Sequence, residues 1–253
     1  MAAVINKIFR RKKAIPLACS VSIENEPGHV HTSACFIDIQ PLSVVELFQS
    51  QGCVSCPPAV PKILESTTDH NLLLLSYDVT YFDHLGWTDT FGDGKWDKRQ
   101  KDYVRKWGRT SIFTPQVVVD GVADGTGSGN GEVNEIVAGA RESRKQMPWH
   151  IVVDTNDTEL RIDSDGMEAG TFDICLISYD PNYQVVKIGK GPNKGKKVPH
   201  RNLVKDVIKI GEWTGGNLTV PLPDRSQMIA TGLQTVAVVQ GGMGGPIVAA
   251  QKL

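Results

Sequence analysis

The sequence predicts an α/β domain followed by an all-β, sandwich-like domain. Three observations carry that expectation. Between residues 43 and 146, apolar runs of strand length alternate with stretches of helix length, giving β-α-β-α-β-α. The first strand leads through a short turn into Cys53-Val54-Ser55-Cys56 at a helix start. Near Met147-Pro148 the pattern changes to short apolar runs separated by turn residues. The expected boundaries are an N-terminal arm over 1–40, an α/β domain over 41–147 and a β-rich domain over 148–253.

Residues 1–40 are irregular, with Pro16, Pro27 and Gly28, and Phe36 to Ile39 is a candidate strand. The run Val44-Val45-Glu46-Leu47-Phe48 is a candidate buried strand. After the polar turn Gln49 to Gly52 and the two cysteines, Pro57-Pro58 open a helix expected to reach about Thr68. Proline in a first helical turn loses no hydrogen bond. Asn71 to Tyr77 is continuously apolar, as in a central strand covered on both faces. Asp78 to Asp89 is too polar and aromatic for a plain linker. Trp96 to Trp107 reads as an amphipathic helix. Thr114-Pro115-Gln116 precedes the strand Val117 to Val119 and the Asp120-Gly121 turn; a strand's first residue need not donate, which suits proline. Ala123 to Gly131 is glycine-rich but lacks the spacing of a phosphate-binding loop. Glu132 to Gln146 completes the first half as a helix.

Strands are expected over 149–154, 159–162, 171–179, 183–188, 217–220 and 233–240. Turn pairs such as Asp165-Gly166 and Gly215-Gly216 fall between them. Gly189 to Lys197 (GKGPNKGKK) reads as a basic hairpin loop, either solvated or facing an anionic partner. His200 to Gly211 alternates apolar and charged residues and is assigned to a strand.

At 253 residues and 40% hydrophobic, the chain has enough material for a packed core. A net charge of −1 gives no global field for nucleic acid. The five cysteines, Cys19, Cys35, Cys53, Cys56 and Cys175, are too sparse for a secreted disulfide scaffold. Met1 to Phe9 precedes Arg10-Arg11-Lys12-Lys13, and no apolar stretch there has the length of a signal-peptide core or a membrane span. The expectation is a cytoplasmic protein without a transmembrane segment, with the mitochondrion as the alternative.

The C-x-x-C at a helix start after a strand is the thioredoxin-type redox arrangement. Unpaired N–H groups and a positive dipole end stabilise a thiolate, so the outer cysteine gains nucleophilicity near neutral pH. Asp78 ends the central strand, where ligands bind in open α/β sheets, and Trp87 is a candidate wall that excludes water. His84 beside Asp83 is either an acid–base group or a surface histidine. His29, His31 and Cys35 with the dithiol form the competing ligand set for zinc, although the spacing matches no common finger. Cys175 falls in a β run, where a buried free thiol is the default. No serine–histidine–aspartate set emerges, and no tightly bound cofactor or metal is assigned.

VELFQSQGCVSCPPA, the D-V-x-Y-F-D-x-L-G-W-x-D stretch at 78–89, TPQVVVDG at 114–121 and HRNLVKDVIKIGEWTG at 200–215 stand in an order that resembles the thioredoxin-like family catalogued as domain-of-unknown-function family 1223. The resemblance spans about residues 41–250. It implies an α/β thioredoxin-like domain followed by a β-rich domain. It also implies that Cys53 attacks a disulfide and that Cys56 resolves the mixed disulfide. Pro115 would be a cis proline facing the dithiol, with the Thr114 backbone presented to substrate. Glu46 is the candidate for a buried carboxylate that moves protons for the resolving thiol; it stands one position out of step, and a structural polar contact is the other reading. The expected function is thiol–disulfide oxidoreduction on a protein disulfide or a glutathione-type thiol. The alternative is a non-catalytic metal-binding or protein-interaction module on the same scaffold.

Overall fold

The computed structural model describes residues 41–253 except 166–169, 225 and 227–229. The N-terminal arm, the candidate strand 36–39, and His29, His31, Cys19 and Cys35 lie outside the described residues.

The first half runs β1 (Ser43–Gln49), α1 (Cys56–Glu65), β2 (Leu72–Asp78), α2 (Gly94–Lys106), β3 (Gln116–Val119), β4 (Ala123–Gly125) and α3 (Glu132–Lys145). β1 and β2 are parallel, while β3 runs antiparallel to β1 and β4 antiparallel to β3. Strand β4 falls inside the glycine-rich stretch Ala123 to Gly131. The second half supplies β5 (Ile151–Thr155), β6 (Glu159–Ser164), β7 (Phe172–Asp180), β8 (Gln184–Lys187), β9 (Lys197–His200), β10 (Leu203–Trp213), β11 (Leu218–Pro221), β12 (Gln234–Gln240) and β13 (Ile247–Lys252).

The second half does not form a separate sandwich. Eight strands make one mixed sheet in the order β13-β12-β7-β10-β2-β1-β3-β4, beside a three-stranded β11-β6-β5 sheet and the β8-β9 hairpin. The chain is therefore a mixed α/β protein with one large sheet across the expected boundary. The physical reason is the free edge of β2. Ser76 N donates to Asn202 O at 3.0 Å and Ser76 Oγ to Arg201 O at 2.7 Å. Asn202 Nδ2 donates to Leu74 O at 2.7 Å, and Arg201 reaches Thr67 just past the end of α1. Alternating apolar residues fit an added strand as well as a separate sandwich, so the pattern alone does not choose between them.

Side chains alternate along β1 between two cores. Val45 and Leu47 join Cys53, Cys56, Val60 and Ile63 of the first helix region and Val133 and Val137 of the third helix. Val44 and Phe48 join Tyr77, Trp96, Tyr103, Cys175 and Val238 on the opposite face. The small sheet covers a third core, with Trp213, Phe172, Ile174 and Leu176. The large sheet also curls back on itself: Ile247 N donates to Asp120 O at 2.8 Å, which brings the start of β13 to the end of β3. Among the described residues no helix is long and apolar enough to cross a membrane.

Candidate functional site

The sulfur pair sits where β1 gives way to α1. Helix α1 starts at Cys56, with Pro57 and Pro58 in its first turn. The connecting loop is tight: Cys53 N donates to Ser50 O at 3.2 Å and Cys56 N to Cys53 O at 3.3 Å. A Cβ at Gly52 would stand 2.8 Å from Phe82 Cβ, so only glycine lets the loop approach the 78–92 segment this closely.

The two thiols, both free, differ sharply. Cys53 is 4% exposed and Cys56 fully buried. The Cys56 thiol, opposed by burial and aided by the Thr114 side chain and the Ser55 and Cys56 backbone, holds Cys53 down at about 6. Burial first, and then the neighbouring Cys53, push Cys56 well above the ordinary thiol value. Cys53 is thus the member that ionises near neutral pH, as expected at a helix start.

The Thr114–Pro115 peptide is cis. Thr114 lies against the pair, and its carbonyl accepts from Cys53 Sγ at 3.3 Å. Both flanks of this dipeptide are braced: Gln100 Nε2 donates to Phe113 O at 2.7 Å and to Gln116 Oε1 at 2.8 Å, and Gln116 in turn donates to Asp124. Tyr81 OH donates to Gln100 Oε1 at 3.2 Å. Burial above all raises that phenol, and the nearby cysteine charges add to it, so Tyr81 stays protonated.

Behind the dithiol loop the 78–92 segment forms a polar brace. Asp89 Oδ2 accepts from Gln51 N at 2.7 Å, and Gln51 Oε1 accepts from Trp87 Nε1 at 2.8 Å. Burial, and then the charge of Asp78, raise Asp89 to about 7. Asp78 is buried at the end of β2, where its Oδ1 meets His200 Nε2 at 2.9 Å. Trp87 therefore supports the dithiol loop through Gln51, while Asp78 is paired with His200 at the end of β2. His84 lies exposed on a short 3-10 turn, Asp83–Leu85.

Glu46 is not brought to the dithiol. Its neighbours Val45 and Leu47 share the cysteine core, while Val44 and Phe48 share the opposite one, and strand alternation places Glu46 with the latter. It accepts from Arg99 Nε at 2.6 Å and from the Tyr103 hydroxyl, and Arg99 continues to Gln240 on β12. Structurally it is the polar contact between α2 and the two halves of the sheet.

Residues 44–240 match the family described as Protein of unknown function (DUF1223). The chain belongs to that family. An X-ray crystal structure of a structural-genomics target protein from Agrobacterium tumefaciens is similar at 30% identity and a TM-score of 0.66, covering 85% of this chain and 95% of the other. HBP35 of Porphyromonas gingivalis is similar at 11% identity and a TM-score of 0.49, covering 84% and 74%, which is too distant to bear on the fold. No curated protein matches.

In this DUF1223 chain the residue that sequence reading missed is Asn193. It belongs to the basic loop between β8 and β9 and is fully buried. Its Nδ2 donates to Gln51 O at 2.9 Å and Cys53 O at 2.7 Å, while Lys196 Nζ donates to its Oδ1 at 3.0 Å. No local signal marks Asn193, because 140 residues separate it from Cys53. The described residues of this DUF1223 protein contain no cluster of three or more His, Cys, Asp or Glu that could hold a metal ion.

Proposed function

We propose that the protein is a thiol–disulfide oxidoreductase whose first half is thioredoxin-like. The observation that carries the reading is the asymmetry of the dithiol against Thr114. One thiol is held at about 6, its partner well above the ordinary range, and the outer sulfur contacts the carbonyl before a cis proline. A β-α-β unit with C-x-x-C at the helix start is the setting in which such pairs exchange disulfides.

The chemistry follows from that asymmetry. The Cys53 thiolate attacks one sulfur of a substrate disulfide; a new S–S bond forms and the other substrate sulfur leaves as a thiolate. Cys56 gives its proton to that leaving group or to solvent and attacks Cys53 Sγ. The second substrate sulfur departs, the dithiol has lost two electrons and the substrate has gained them. Run backwards, the same steps oxidise a dithiol. Thr114, half-buried beside the pair, is the backbone that lines the approach to Cys53.

The test is the redox equilibrium of the pair in metal-free buffer against reduced and oxidised glutathione, with Cys53→Ser and Cys56→Ser. A reversible two-electron transition absent from both variants is expected. A protein that forms no Cys53–Cys56 disulfide, and that carries about one metal per chain lost in both variants, would be a metal-binding module instead.

A further inference from the structure

The loop between β8 and β9 is clamped onto the dithiol loop by a buried side chain. It carries Lys190, Lys194 and Lys196 and ends at Lys197, the first residue of β9; all four are exposed. Among the described residues none of the four forms an ion pair. Lys196 is tied to the dithiol loop: its ammonium holds Asn193 Oδ1 at 3.0 Å while Asn193 Nδ2 holds Cys53 O at 2.7 Å. In the facing segment the carboxylates of Asp83 and Asp89 are turned to backbone amides. Asp89 takes Gln51 N and Phe91 N, and Asp83 takes Asp89 N.

The loop backbone is also pressed down. A Cβ at Gly189 would stand 2.9 Å from the Trp87 ring, and one at Gly191 would stand 3.1 Å from Leu85 O. Glycines allow this close approach. The result is a cationic loop held against the backbone of Cys53, a residue only 4% exposed, in a chain of net charge −1. Lysines without carboxylate partners on a loop tied to the Cys53 backbone concentrate anions there and repel cations, an effect that salt weakens. So covered a sulfur also favours a small disulfide over one set in a broad protein surface.

We infer that the β8–β9 loop is a specificity element that selects small anionic thiols and disulfides of the glutathione type at Cys53. This rests on the oxidoreductase reading and adds the substrate class to it. Asn193 fixes the loop, and Lys190, Lys194 and Lys196 meet the substrate carboxylates.

The experiment compares exchange of the reduced protein with oxidised glutathione (anionic), cystamine (cationic) and bis(2-hydroxyethyl) disulfide (neutral). Each rate is divided by that of the same disulfide with dithiothreitol. The wild type should prefer the anionic over the cationic disulfide by about tenfold at low salt, and the preference should shrink as salt rises. Replacing Lys190, Lys194 and Lys196 together by Gln should bring the ratio near one; the Lys196→Gln change keeps a side-chain donor for Asn193. Replacing Lys101, Lys106 and Lys145 by Gln, which changes net charge equally at exposed helical positions outside this loop, should leave the ratio as it was. A wild-type ratio near one, or a ratio equal in wild type and the loop variant, overturns the inference. Exchange with the neutral disulfide no faster than in Cys53→Ser would instead overturn the oxidoreductase reading itself.

Discussion

Asn193, carried by the second half of the chain, donates a hydrogen bond to the carbonyl of Cys53 at 2.7 Å. The same amide holds Gln51 O at 2.9 Å, so one side chain ties the β8–β9 loop to both sides of Gly52. The second half thus completes the dithiol loop.

Asn193→Ala removes both donations to carbonyls that sit in a buried place. The expected cost is about 1–3 kcal/mol, read as a shift of the urea unfolding midpoint. Alkylation of Cys53 at fixed pH should become faster as the loop loosens. Asn193→Asp should cost more, because a carboxylate then faces the two carbonyls.

The reactivity of Cys53 should titrate with a midpoint of about 6, followed by the pH dependence of iodoacetamide alkylation. Below that midpoint the thiolate fraction falls about tenfold per pH unit. Cys56→Ala deletes the largest stabilising contact to the thiolate, so the midpoint should move upward. An unchanged midpoint would assign the depression to Thr114 and the Ser55 and Cys56 backbone instead.

Glu46→Gln tests the placement of Glu46 away from the dithiol. Arg99, 13% exposed, would lose its partner in a buried network, at an expected cost of about 3–5 kcal/mol in urea unfolding. The Cys53 midpoint should not move. A shift would mean that Glu46 acts on the thiols.

Asp89 gives a signed pH effect. Its folded value of about 7 lies above the ordinary carboxyl value of 3.8, so the folded state binds the extra proton between them. Its contribution to stability is fully present below the ordinary value and is lost as pH rises to about 7. The stability difference between wild type and Asp89→Asn, measured by urea unfolding at about pH 4.5 and about pH 7.5, should therefore move in favour of Asp89→Asn at the higher pH. Equal differences at the two values would refute this.

The sequence by itself determined the local elements and where the two cysteines stand on them. β1, β2, the three helices and the position of C-x-x-C at a helix start follow from apolar spacing, paired prolines and turn residues, all of which act within a few residues of one another. It also pointed to Thr114-Pro115 before a strand. Only the tertiary structure decided that β10 adds to the free edge of β2, since an alternating strand pairs with any compatible edge. It likewise decided that Glu46 faces Arg99, because a one-residue step on a strand changes the face. Asn193 reaches Cys53 only because the sheet continues from the first half into the second. Sequence periodicity acts over one element, whereas a hydrogen bond across 140 positions exists only after the sheet has brought its ends together.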